Sequence, residues 1–197
     1  EVEIILASPK AVSLFPGAIE CSKKELERIS NLKNTSDVIA VSKIPKDLNY
    51  ENDEKPIIYL DNINDPGNLG SIIRSLDWFG FKHVFCSHNT VDQYNNKAIM
   101  ASMGSIFRIQ AHYIDYQDLK KKFTNHNLYI SSLKGDNIKE IQFIKKAIMV
   151  IGNESKGVSE EIKKNKHQSI KIPGTGKAES LNAGVATGII LHEMVKN

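Results

Sequence analysis

A chain of 197 residues, 41% hydrophobic and 25% charged, has the make-up of an ordinary globular protein, long enough for one good core and a small appendage. No apolar run approaches the roughly 20 residues of a membrane span, no charged-then-apolar leader opens the chain, and a net charge of +3 permits nucleic acid as a partner without demanding it. Cys21, Cys86 and six scattered histidines fit no metal-ligand spacing, so neither a metal nor a membrane is expected, and isolated cysteines suit a reducing compartment, the cytoplasm by default.

In chain order, "VEIILAS" reads as a strand, "SKKELERIS" as an amphipathic helix with Ser22 as its cap, and "SDVIAVSKIP" as another strand. About 45 residues bury little core alone. With a start at Glu1 and no methionine, residues 1–46 are expected to be the remnant of a small α/β domain cut at its beginning. The polar, proline-bounded "KIPKDLNYENDEKP" marks a linker over 47–55.

Over 56–197, β-rich runs alternate with helical patterns. "PIIYLDNI" is a buried strand and "NLGSIIRSLDWFG" a helix closed by Gly80. "HVFCS", "IFRIQA", "NLYISSL", "AIMVIGN" and "QSIKIPG" are further strands. Between them fall the helices "NNKAIMASMGS", "YQDLKKKFTNH" and "VSEEIKKNK", and "SLNAGVATGIILHEMVKN" closes the chain. This alternation predicts an α/β fold, a mainly parallel sheet with helices on both faces. Ligands of such sheets sit beyond the carboxyl ends of the strands, so the loops after Leu60, Ser131, Ile151 and Ile172 are the ones to search.

The last of these, "KIPGTGKAESLN", looks at first like a phosphate loop. Aligning its Gly-Lys on Gly176-Lys177 puts Lys171 where a glycine belongs and Ala178 where the magnesium-binding hydroxyl belongs, which excludes nucleotide hydrolysis of that type. Ser180 stands where a helix N-cap is expected, with Leu181, Val185 and Ile189 as one apolar stripe behind it. Gly184 and Gly188 weaken a helix by about 1 kcal/mol each, which implies close approach by another backbone.

In "DNINDPGNLGSIIRS" the chain turns at Asp65-Pro66-Gly67. Asn68 then serves either as a helix cap or as a site residue. Arg74 lies about 120° around and about 9 Å along the helix from it, either a solvated charge or a side chain reaching back to the strand ends. "VIGNESKGVSEE" carries Asn153 and Glu154 out of a strand directly after Gly152, and Gly157 precedes a helix whose first turn is acidic. The lysines at 120–122 and in 162–166 read more readily as solvated helix faces than as an RNA track.

Taken together, N-L-G-x-x-x-R, I-G-N-E-x-x-G and I-P-x-x-G-x-x-x-S-L-N before a small-residue helix resemble the three motifs of the SpoU (TrmH-like) class of SPOUT RNA 2′-O-ribose methyltransferases, over residues 57–195. The resemblance implies a C-terminal deep trefoil knot, an obligate homodimer and S-adenosylmethionine held in the knot. It implies cofactor contacts from Gly152, Ile172 and Leu181, with Leu133, Asn153, Gly157 and Pro173 beside them. Methyl transfer to a ribose 2′-hydroxyl of structured RNA is the implied reaction. Arg74 would act at the attacking hydroxyl, with Asn68, Glu154, Ser180 and Asn182 positioning it. The first 46 residues look like the end of the small RNA-binding domain that often precedes this catalytic domain, which leans the substrate toward ribosomal rather than transfer RNA. Gly174 stands where the class often has methionine, and Ala183-Gly184 where Val-Ser is usual. A non-catalytic RNA-binding protein with the same fold is the main alternative, and a small-molecule methyltransferase the next.

Overall fold

The computed structural model describes residues 1–45, 50 and 55–196. The linker expected over 47–55 therefore lies largely outside the described residues. The chain divides into two compact units, Glu1–Leu48 and Asn49–Asn197.

The first unit contains β1 (Val2–Ala7), β2 (Ile19–Glu20), α1 (Lys23–Ile29) and β3 (Val38–Ser42), in a sheet of order β2-β1-β3. Ser22 caps α1 as its sequence predicts, through a reciprocal capping box with Glu25. Ala7, Ala11 and Leu26 are its buried apolar residues, while Val2, Ile4, Leu14, Ile19 and Val41 remain exposed.

The second unit runs β4 (Ile57–Asp61), α2 (Pro66–Trp78), β5 (His83–Cys86), α3 (Asn96–Ser102), β6 (Gln110–Tyr113), α4 (Tyr116–Lys122), β7 (Asn127–Asn137), β8 (Ala147–Gly152), α5 (Glu160–Lys163), β9 (Gln168–Lys171) and α6 (Ala183–Val195). Its strands pair in parallel in the order β6-β5-β4-β8-β7-β9. The central strands β4 and β8 are buried along their whole length, which is why they read as unbroken apolar runs. Successive residues still face opposite ways. Ile58, Leu60, Met149 and Ile151 join α2 and α6 in one core, whereas Ile57, Tyr59, Ile148 and Val150 join α4 and α5 in the other.

Four local readings change. Asp65, not Asn68, caps α2, its carboxylate accepting from the Asn68 N–H with Pro66 at the first helical position. "IFRIQA" is split, because a 3-10 turn over Ser105–Phe107 delays β6 to Gln110. The helix expected over 158–166 is reduced to Glu160–Lys163. Asn182, not Ser180, caps α6, accepting from the N–H groups of Gly184 and Val185.

The buried face of α6 is also the reverse of the expected one. Ala183, Gly184, Thr187, Ile190, Leu191 and Met194 point inward, and Leu181 and Val185 are exposed. The small residues of α6 meet both side chains and backbone of α2, a Cβ on Gly184 lying 3.8 Å from the Asn68 carbonyl oxygen. A Cβ on Gly184 would lie 3.0 Å from Ser71 Cβ, and one on Gly188 3.7 Å from Ser75 Oγ. Small residues on both partners let α2 and α6 lie close together.

Candidate active site

All strands of the second sheet are parallel, so their following loops gather at one edge. The chain winds outward from β4 through β5 to β6, and β8, β7 and β9 fill the other side. The winding reverses where β4 meets β8, with Asp61 opposite Gly152, the place where open α/β sheets leave a crevice. Two loops are locked together there. The buried Asp61 carboxylate accepts from Ser159 N–H (2.7 Å) and Asn62 Nδ2 (2.6 Å), and Asn153 Nδ2 donates to Asn62 O (2.8 Å).

Gly152 admits no side chain, since a Cβ would lie 2.3 Å from the backbone of Gly157 and Val158. The loop doubles back on itself through paired backbone hydrogen bonds between Asn153 and Gly157. Gly157 takes a φ of +69°, which glycine adopts without strain. Asn153 Oδ1 accepts from the N–H groups of Ser155 and Lys156, so this side chain is occupied in shaping the loop.

An open crevice of about 610 Å³ results, lined by Asn64, Asp65, Asn68, Asn153, Glu154, Ser155, Lys156 and Asn182. Across it runs a chain of side-chain hydrogen bonds. Asn68 Nδ2 donates to Glu154 Oε1 (2.5 Å), and Asn182 Nδ2 donates to Asn68 Oδ1 (2.6 Å). Asn182 Oδ1 accepts from Gly184 N–H (2.9 Å) and Val185 N–H (3.2 Å). Its polarity is fixed from both ends. A carboxylate accepts only and a helix N-terminus donates only, so each amide between them has one permitted orientation. Three loops, after β4, β8 and β9, are thereby tied to one another.

Of the five residues expected to act in catalysis, Asn68, Glu154 and Asn182 therefore meet. Arg74 and Ser180 do not line the crevice. Arg74 is exposed on α2, and no hydrogen bond or ion pair of its guanidinium occurs among the described residues. It flanks the stripe of Ser71 and Ser75 that faces α6. Ser180 is exposed in the loop between β9 and α6. Among the expected cofactor residues, Asn153 lines the crevice, while Gly152 and Gly157 shape the doubled-back loop that carries it. Leu133 lies in β7, Ile172 and Pro173 directly after β9, and Leu181 directly before Asn182.

The sequence reading missed Asp61, Asn64, Asp65, Ser155 and Lys156. Asp61 could have been found by the criterion that singled out Glu154, a carboxylate at the carboxyl end of a buried strand. Among the described residues, titration shifts belong to groups outside the crevice lining, including Cys86 of β5 and His112 of β6. Burial pushes the Cys86 thiol up, and burial, then His83 and Lys122, holds His112 down at about 4. Most of the lysine clusters are engaged locally: Lys120 on Asn165, Lys121 on Asp118, Lys163 on Glu160 and Lys122 over the Tyr50 ring. Among the described residues, no group of three or more His, Cys, Asp or Glu stands ready for a metal ion, and no helix is long and apolar enough to cross a membrane.

This arrangement has counterparts. The model of the family described as SpoU rRNA Methylase matches residues 55–192. A tRNA/rRNA methyltransferase of Archaeoglobus fulgidus, itself uncharacterised, is 34% identical over 141 residues, 70% of this chain and 63% of that protein. The Bacillus subtilis 23S rRNA (guanosine(2553)-2′-O)-methyltransferase RlmP is 30% identical over 144 residues, 71% of this chain and 58% of RlmP. The SpoU methyltransferase AviRb of Streptomyces viridochromogenes, solved in complex with AdoMet, superposes with a TM-score of 0.82 at 26% identity, covering 100% of this chain and 83% of AviRb. The matched part spans about three fifths of the length of the first two curated relatives.

Proposed function

The chain belongs to the SpoU rRNA methylase family, and from that premise we propose that it transfers a methyl group from S-adenosylmethionine to a ribose 2′-hydroxyl of structured RNA. The observation that carries this reading is the Glu154–Asn68–Asn182 chain, which joins the three motif-bearing loops at one crevice. The crevice is lined by polar side chains, Asp65 and Glu154 among them, which suits the hydroxyls of a ribose better than an adenine ring. The cofactor belongs beside it. Gly152 leaves the backbone bare at the end of β8, and Leu133 and Leu181 offer uncovered apolar surface.

When bound, S-adenosylmethionine supplies a sulfonium-activated methyl group, so the protein chiefly has to align the acceptor and handle one proton. Arg74 carries a guanidinium, which is a poor general base. Its role here is to stabilise the developing alkoxide at O2′ while a phosphate or water takes the proton. Asn68, Glu154 and Asn182 hold the loops that frame the ribose, and Ser180 closes over it from the loop before α6. The trefoil knot belongs to this reading, with the family as its ground. So does a homodimer, supported by the exposed Val185 of α6 and Trp78 of α2. Residues 1–46 are assigned as part of an RNA-binding domain and the protein to the cytoplasm. The name of the Bacillus relative makes ribosomal RNA the first substrate to try, ahead of transfer RNA.

Transfer of tritium from labelled S-adenosylmethionine to both RNAs, followed by alkaline hydrolysis, is the test. A 2′-O-methyl group protects the adjoining phosphodiester, so label is expected in alkali-stable dinucleotides; label in bases, or none in RNA, sinks the proposal. A non-catalytic RNA-binding role draws on the position of Arg74 and Ser180 outside the crevice. It predicts no calorimetric binding of S-adenosylhomocysteine.

A further inference from the structure

Strand β7 pairs with β9 twice. Tyr129, Ile130 and Ser131 face Gln168, Ser169 and Ile170; the strand then leaves β9 and returns so that Asp136 faces the same Ile170 and Asn137 faces Lys171. Residues 132–135 thus form an excursion that starts and ends at one point of β9. Its turn is held by Lys134 N–H donating to Ser132 Oγ (3.1 Å), and its return by Gln168 Nε2 donating to Asp136 Oδ2 (2.8 Å).

Gly135 crosses β9 with no room for a side chain. A Cβ there would lie 2.4 Å from Ser169 O, 2.6 Å from Ser169 C and 3.0 Å from Ile170 N. These neighbours are backbone atoms of a paired strand, which cannot swing aside as a side chain can. Gly135 is not among the glycines with positive φ, so space alone is what it provides. Both walls assigned to the cofactor hang on this crossing. Leu133, 72% exposed, is carried by the excursion, and Ile172 immediately follows the last residue of β9.

Resting on the S-adenosylmethionine reading above, we infer that Gly135 is a positioning residue for the cofactor, because its backbone crossing sets the spacing of Leu133 and Ile172 on either side of the adenosine. Any side chain at 135 must lift the excursion by about 1 Å to reach an ordinary contact distance, a displacement that in a preorganised site is enough to lose up to about a hundredfold.

Calorimetric titration of the full chain with S-adenosylhomocysteine tests this on the unaltered protein and on Gly135→Ala, Gln168→Ala and Leu119→Ala. Leu119 is a buried residue of α4, in the core on the opposite face from α2 and α6, so its loss destabilises the fold without touching the crossing. Gly135→Ala is expected to weaken binding at least about tenfold. Gln168→Ala, which removes one pinning hydrogen bond, should weaken it about threefold. Leu119→Ala should bind as the unaltered chain does, despite a lower urea midpoint. The inference is overturned if Gly135→Ala keeps full affinity, or if Leu119→Ala loses as much, since the effect would then be one of stability. Where Gly135→Ala does not fold, full affinity in Gln168→Ala overturns it. An unaltered chain that binds no S-adenosylhomocysteine ends the cofactor reading itself and this inference with it, a result distinct from binding retained in the variants.

Discussion

Asn68 donates to a carboxylate with one atom of its amide and accepts from another amide with the other. Asn68→Asp turns the donor into an acceptor facing Glu154, and two carboxylates then oppose each other. A loss of about 1–3 kcal/mol is expected from the broken and repelling contact, read as a lower urea midpoint. Adding Glu154→Gln restores a donor to the pair, so the double variant should recover part of that loss. Simple additivity of the two substitutions would show that the bond contributes nothing. Arg74 poses the opposite case, a side chain whose guanidinium has no hydrogen-bond or ion-pair partner among the described residues. Arg74→Lys keeps the charge and removes the planar fork of donors. Turnover is expected to fall by about a hundredfold or more, the scale of losing one charge-stabilising donor, with S-adenosylhomocysteine affinity unchanged. Near-full turnover would remove Arg74 from the mechanism.

At the scale of elements, helix α6 shows what the sequence could and could not reveal. The existence of the helix was legible from its apolar content, and the sheet strands from their unbroken or alternating patterns. Its cap was not. Ser180 and Asn182 are both good N-cap residues two positions apart, and the contact that settles the register is a hydrogen bond to Asn68, 114 residues away in the chain. Its inward face was misread for a related reason. Large apolar residues are expected inside, yet the positions facing α2 are Gly184 and Gly188, because the two helices meet through small residues. The crevice was legible as three loops and not as a hydrogen-bonded chain, since each link joins segments distant in sequence. The consequence is a paired prediction. Asn182→Ala removes both the cap and the link to Asn68 and should cost about 1–2 kcal/mol. Ser180→Ala should leave the urea midpoint unchanged and affect methyl transfer alone. A larger midpoint shift for Ser180→Ala than for Asn182→Ala would reverse the assignment.

For the molecule as a whole, the exposed apolar side chains of the second unit are where the proposed homodimer would make its contact. Trp78 is 85% exposed on α2, Met103 and Phe107 are exposed beyond α3, and Val185 is 53% exposed on α6. Aromatic and methionine side chains are those enriched in buried interfaces. The proposed homodimer covers these residues, with about 800 Å² per subunit needed for a stable pair. Trp78 is the chain's only tryptophan, so it reports its own surroundings without interference. Its emission should be shifted to the blue at concentrations where the dimer forms and return toward that of solvated indole on dilution. Val185→Glu places a charge where the partner would bury it, while in the single chain the same position faces solvent and tolerates the change within about 0.5 kcal/mol. That variant should sediment as a monomer at every concentration, with Trp78 emission red throughout and methyl transfer reduced if the site needs both subunits. A variant that sediments as a dimer, or an unaltered chain whose Trp78 stays solvated at every concentration, would place the subunit contact elsewhere or remove it.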